Sequence, residues 1–183
     1  LEAYKEVQMH RRIEFFISKT SAKSIKDFID LCKKNNIIKE QFLDLITINV
    51  TEFFRNMDIF LQIKDVFRKA LPKKEKYMIW SSACSNGAEP YSVAMILENI
   101  NVHNYKILAT DIDKNVLDYA NNGIYSEDEI GEVPNYYLIK YFEKYGNKYK
   151  IKNFIKDKVV FRRHDLILDE FPVCMDLILC RNV

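Results

Sequence analysis

The stretch that decides the fold is WSSACSNGAEPYSVAMIL, Trp80 to Leu97. It opens as the end of a hydrophobic strand, turns through a single glycine, Gly87, and runs into a helix, the layout of a nucleotide-binding corner. A dinucleotide fingerprint would carry three glycines here, because bare backbone N–H groups must approach a pyrophosphate at a helix N-terminus. Ser85-Asn86-Gly87-Ala88-Glu89 lacks that run and sets an acid in the first helical turn. Such an acid repels a phosphate and suits a cation. A ligand with an ammonium and a sulfonium but no phosphate, such as S-adenosylmethionine, asks for one glycine at the turn and one carboxylate for its amino group. Glu89 also complements the helix dipole, and from the corner alone both readings stay open.

Working outward, YKILATD reads as a second strand, and its last residue, Asp111, lies twenty-four positions past Gly87. A carboxylate after the second strand, about 20 residues on, is where a ribose diol is gripped. Asp113 is placed to cap the helix that starts at Lys114. YMIWSS precedes the corner as a strand, Ala88 to Asn99 is helical, and KVVFRRHDL and MDLILC are apolar enough to be buried strands. Strands alternating with helices predict a parallel, doubly wound sheet covered on both faces. Tyr136 to Phe142 reads as a helix. KYGNKYKIKNF alternates around Gly146-Asn147, which predicts a small hairpin or three-stranded insert over about 141–157.

Ahead of the sheet, residues 4–45 show helical periodicity, with Ile13, Phe16 and Ile17 on one face, then Phe28, Ile29 and Leu31, then Phe42, Leu43, Leu45 and Ile46. Ser24 and Asp27 supply a capping pair, and Lys33 to Asn36 a stop. Asn56 is positioned to cap a further amphipathic helix that Pro72 ends. The expected organisation is therefore a helical domain over 1–71, with a segment at 46–56 reaching the site, and an α/β domain over 72–183.

Composition narrows the function classes. Lysine plus arginine number 28 against 26 acids, so the near-neutral balance gives no footprint of a general nucleic-acid binder. No apolar run approaches the ~20 residues of a bilayer span. Cys32, Cys84, Cys174 and Cys180 lack metal-ligand spacing and read as reduced thiols, three of them in apolar runs that suit core packing. His10, His103 and His164 have no visible partner set and read as structural or exposed. A soluble, cytoplasmic protein with no resident metal is expected.

With these positions fixed, the chain resembles the chemoreceptor glutamate methyltransferases of the CheR type. The residues that carry the likeness are ITINVTEFFRN (Ile46 to Asn56), WSSACSNGAEPYS (Trp80 to Ser92), ATDID (Ala109 to Asp113) with GIYS (Gly123 to Ser126), and LCRNV (Leu179 to Val183). YKEVQMHRRI, Tyr4 to Ile13, also resembles the start of that family. The resemblance implies a Rossmann-like methyltransferase sheet behind an all-helical N-terminal domain. It implies methyl transfer from S-adenosylmethionine to receptor glutamates, giving γ-methyl esters and S-adenosylhomocysteine. On the family pattern, Asn49, Thr51 and Arg55 line the cofactor and substrate site, with Arg55 nearest the chemistry. Glu89 takes the methionyl end, Asp111 the ribose, Asp165-Leu166 the adenine region, and Arg181-Asn182 the floor. Asp165 also reads as the turn after a strand, and that alternative stays open.

The implied partners are the cytoplasmic helices of chemoreceptors, met by a monomer whose basic front helix, with Lys5, Arg11, Arg12 and Lys19, is placed to steer an acidic substrate. Two departures stand out. The turn keeps one acid before Pro90 where the family has two, and the chain stops just past Arg-Asn-Val, where family members continue. A C-terminally truncated sheet of about four strands, with an exposed edge and an uncovered face, is the expectation. The competing functions are a catalytically silent module that binds S-adenosylmethionine or receptor, and a nicotinamide-dependent oxidoreductase, which the single glycine disfavours.

Overall fold

A computed structural model describes residues 10–11, 13–46, 51–70, 74–131 and 133–181, with the backbone alone at 44–46 and 70. The chain divides into two compact units, Leu1–Asn49 and Val50–Val183. The division falls ahead of the boundary expected after residue 71. Its cause is burial: Phe53, Phe54, Phe60, Ile63 and Phe67 all enter the core that the sheet builds. The expectations for Lys5, Arg12, Asn49, Pro72 and Asn182 lie outside the described residues.

The smaller unit is helical. Residues 13–18 form one helical stretch, followed by α1 (Ile25–Lys34) and α2 (Asn36–Ile46). Ser24 caps α1 as its pattern predicts, its Oγ accepting from the Asp27 N–H at 3.1 Å, and Asn35 closes it. The Asn35 carboxamide then accepts from the N–H groups of Ile37 and Ile38, so one residue ends α1 and starts α2. Phe16, Phe28 and Phe42, one from each helical stretch, meet at ring-centroid distances of 4.8 to 6.1 Å and form this unit's own small core.

The larger unit begins with α3 (Met57–Asp65), which runs on into a π-helical turn, Val66–Ala70. The sheet comprises β1 (Tyr77–Ser81), β2 (Tyr105–Asp111), β6 (Val159–Arg163) and β7 (Leu177–Leu179), all parallel, in the spatial order β6-β2-β1-β7. The chain steps outward from β1 through α4 (Ala88–Asn99) to β2, then through α5 (Lys114–Asn122) and the insert to β6. It finally returns to the other side of β1. Strand order therefore reverses beside β1, which places a switch-point crevice at the carboxyl ends of β1 and β7. The insert is a three-stranded antiparallel sheet of β3 (Ile124–Tyr125), β4 (Phe142–Tyr145) and β5 (Lys148–Ile151), with α6 (Asn135–Tyr141) between β3 and β4. Gly146, at φ 61°, makes the tight turn between β4 and β5. A single turn, α7 (Asn153–Lys156), leads into β6.

Strand alternation divides the main sheet's side chains between two unlike faces. On one, Ile79, Ser81, Ile107 and Ala109 are fully buried, and Phe161 meets the ring of Tyr91 from α4. On the other, Trp80 packs against His164 and Phe171 from the segment after β6, while Val160 and Ile178 are half exposed. The coverage on both faces expected from the pattern is thus one-sided among the described residues. No described helix is long and apolar enough to cross a membrane.

Candidate active site

Gly87 explains why one glycine suffices. Its φ is +86°, a region that side-chain-bearing residues rarely adopt, and a Cβ there would stand 2.8 Å from the Cβ of Ala120 in α5 and 3.2 Å from both the Phe161 ring and the Tyr125 hydroxyl. The glycine is needed to bring the corner down onto α5 and β6, a packing role that requires no phosphate. The rest of the turn is held by side chains. The Asn86 carboxamide oxygen accepts from the Ala88 N–H, the Tyr125 hydroxyl donates to the Asn86 carbonyl, and Ser85 sits at φ 47° with its N–H on Asp111 Oδ2 at 2.8 Å.

Asp111 ends β2 and keeps both carboxylate oxygens on this loop region, its Oδ1 accepting from the Asp113 N–H at 3.1 Å. Each oxygen retains acceptor capacity, because a carboxylate offers about four lone-pair sites. Asp113 caps α5 through Asn115, as its position predicts. Next to Asp111, a cavity of about 210 Å³ is lined by Ser82, Ala83, Ile112, His164, Asp165 and Leu166, among others. Asp165 turns its Oδ1 onto the N–H groups of Ile167 and Leu168, and so organises the turn that walls this cavity.

Glu89 occupies the opposite flank of the corner, on the first turn of α4. Its Oε1 accepts from the Ser81 hydroxyl at 2.7 Å and its Oε2 lies 3.3 Å from Arg181 Nη1; the two side chains are 12% and 17% exposed. Burial pushes the Glu89 carboxyl above the ordinary carboxylate range, and the Ser81 hydroxyl and the Arg181 guanidinium pull it partly back. Arg181, just past β7, also donates through Nη2 to the Arg55 carbonyl at 3.0 Å and to Asn56 Oδ1 at 2.9 Å. Its guanidinium stands 5.9 Å over the Phe60 ring.

The turn that carries Arg55 is tied down on its other side as well. The Phe54 N–H donates to Ser92 Oγ, which in turn donates to the Ala88 carbonyl in the first turn of α4. Phe53 and Phe54 bury as expected, Phe53 edge-on to Tyr125 and Phe142, and Phe54 against Phe60 and Tyr137. Thr51 reaches the corner through its carbonyl, which the Asn86 amide contacts at 3.5 Å. The described members of the predicted set therefore fall into two groups. Thr51, Arg55, Glu89 and Arg181 are linked around the corner, and Asp111, Asp165 and Leu166 surround the cavity.

Three expectations need correction. Asn56 does not cap α3 by its side chain; it sits at φ 61° and gives its carboxamide oxygen to Arg181 instead. The histidines do have acidic neighbours: His10 with Glu14, His103 with Glu98, and the buried His164 with Asp169. Of the cysteines, all free, Cys84 is buried, whereas Cys174 and Cys180 are exposed rather than packed in a core. Sequence reasoning also missed Ser81 and Ser92, small hydroxyls whose partners only the folded chain reveals. Among the described residues no cluster of His, Cys, Asp and Glu is arranged to hold a metal ion.

A doubly wound parallel sheet with a carboxylate on each side of its switch-point corner defines an α/β domain for an adenosyl-type cofactor. The chain belongs to the CheR methyltransferase family: the family described as "CheR methyltransferase, SAM binding domain" matches residues 49–183. It is 38% identical, over its whole length and 71% of the relative's, to a chemotaxis protein methyltransferase of Listeria monocytogenes. The corresponding figures for a chemotaxis protein methyltransferase of Borreliella burgdorferi are 36%, the whole chain and 70%. Against the chemotaxis protein methyltransferase of Escherichia coli it is 31% identical over 79% of the chain and 52% of that protein. S-adenosylmethionine is the cofactor of this domain, and the donor set fits it: Glu89, 12% exposed, sets a carboxylate at the corner, Asp111 keeps free acceptor sites, and Gly87 is packed against α5 and β6.

Proposed function

We propose that this chain transfers the methyl group of S-adenosylmethionine to glutamate side chains on the cytoplasmic helices of bacterial chemoreceptors, forming γ-methyl esters. The observation that carries the reading is the tie between the partly buried Glu89 and the turn bearing Arg55, made through Arg181, in a chain of this family. The cofactor supplies an electrophilic methyl on a sulfonium. Glu89 holds its amino group, Asp111 accepts from the ribose hydroxyls, and the wall of Asp165 and Leu166 receives the adenine. Thr51, with Asn49 and Asn182, completes the surround. Arg55 orients the incoming carboxylate in the bidentate manner that a guanidinium permits.

No general base is required, because a glutamate with a pKa of about 4.3 is already ionised at neutral pH. The groups of the corner agree with that economy. Burial pushes the Cys84 thiol and the Tyr91 and Tyr125 hydroxyls up, so all three stay protonated and neutral. What remains for the protein is to align two reactants and exclude water. We place the reaction in the cytoplasm and read the protein as a monomer. The test is transfer of radiolabelled methyl to receptor fragments, released as methanol by base as an ester must be. Arg55→Ala should lower kcat/KM about 100-fold or more while S-adenosylhomocysteine still binds. Cofactor binding without any transfer by the wild type would identify a binding module instead.

A further inference from the structure

Arg181 was expected on the floor of the cofactor site, and its contacts reach from Glu89 to the turn that bears Arg55. One nitrogen of its guanidinium meets Glu89, and the other holds two acceptors of a single turn, the Arg55 carbonyl and the Asn56 carboxamide. That turn needs holding. Phe54 and Asn56, on either side of Arg55, both have positive φ, at 57° and 61°, and neither is glycine. Residues in that region cost free energy and persist only where their surroundings over-determine them. On the Phe54 side the restraint is the Ser92 hydroxyl. On the Asn56 side it is Arg181, which lies 126 residues from Arg55 along the chain and is anchored by Glu89 and by the Phe60 ring.

The geometry points to Arg181 as a positioning residue, one that fixes the Arg55 turn against the end of β7 and acts on methyl transfer through that turn rather than by contact with the cofactor. Only a planar fork can do this. A guanidinium presents nitrogens on separate edges, so it can face a carboxylate and a turn together, whereas the compact ammonium of lysine offers its charge to one of them. The inference rests on the proposed function for the identity of the reaction, but not for the restraint itself.

Arg181→Lys, which keeps the charge beside Glu89, separates the roles. Hydrogen exchange on the ligand-free protein should show the amides of Phe54 to Asn56 exchanging about tenfold faster, with those of β1 and α4 unchanged. S-adenosylhomocysteine should bind within about threefold of wild type, while kcat falls about 100-fold with little change in the KM for the cofactor. Asn56→Ala should reproduce part of the loss in kcat and add little to the lysine variant, as expected of residues on one contact. Unchanged exchange in the turn would overturn the proposal, as would a loss of cofactor affinity equal to the loss of activity. Should wild type fail to bind S-adenosylhomocysteine, the functional reading falls, and the exchange measurement still decides the role of Arg181.

Discussion

Glu89 concentrates the electrostatics of the site in one side chain. Its carboxyl is raised by burial, so it binds its proton at a pH above the value of about 4.3 for a free glutamate. A cofactor ammonium needs the ionised form. The affinity for S-adenosylhomocysteine should therefore fall on acidification before an ordinary carboxylate titrates, and Glu89→Gln should bind more weakly at neutral pH and lose that dependence; calorimetric titration across pH reads both. Gly87 is the second sensitive position. Gly87→Ala must place a methyl 2.8 Å from Ala120 while holding φ at +86°, and should cost about 1–3 kcal/mol in urea denaturation. The sequence displayed Gly87, Glu89 and Asp111 because their signals are local to one strand-helix-strand unit. It did not display the grip of Arg181 on Asn56, since that bond joins residues 125 apart and depends on the return of β7 to the side of β1.

Among the elements, β7 is short and relies on one side chain at its entrance. The Asp176 N–H donates to the Met78 carbonyl at 2.7 Å, and its carboxylate accepts from the Met78 N–H at 2.9 Å and pairs with Lys74. Lys74 and the Met78 N–H hold the Asp176 carboxyl below the usual range. A lowered folded-state pKa adds stability that is present above the unfolded value of about 3.9 and lost as pH falls through the folded value. Asp176→Ala should thus destabilise by about 1 kcal/mol at neutral pH, with the gap to wild type closing in acid, in paired denaturation curves. The helix α4 was readable from Ala88 to Asn99, and β2 from Tyr105 to Asp111, because apolar runs and end signals coincide there. The entrance to α3 was not. Asn56 carries the residue type of a cap, but a tertiary partner takes its side chain and leaves the backbone left-handed.

For the molecule as a whole, the parallel, doubly wound sheet followed from strands alternating with helices, whereas its strand order and the division into units did not. Aromatic residues at 53, 54, 60 and 67 look the same on paper whether they serve a helical domain or a sheet, and only packing assigns them. Charge acts at this scale too. Arg11 and Lys19, the described members of the basic front stretch, are both exposed, and a positive surface there would draw an acidic receptor bundle at long range. The kcat/KM for receptor should then decline steeply with added salt while affinity for S-adenosylhomocysteine changes little; a flat response would remove steering from the account.

Trp80, the chain's one tryptophan, is 5% exposed, with its indole N–H on the Thr110 hydroxyl and its ring beside His164, a residue of the cavity wall. The protein therefore carries a native optical reporter one layer behind the cavity proposed for the adenine. Its emission should start at the blue end, as a dry indole requires, and change in intensity when adenosyl compounds fill the space next door, giving a label-free titration when the light is set beyond the absorption of the tyrosines.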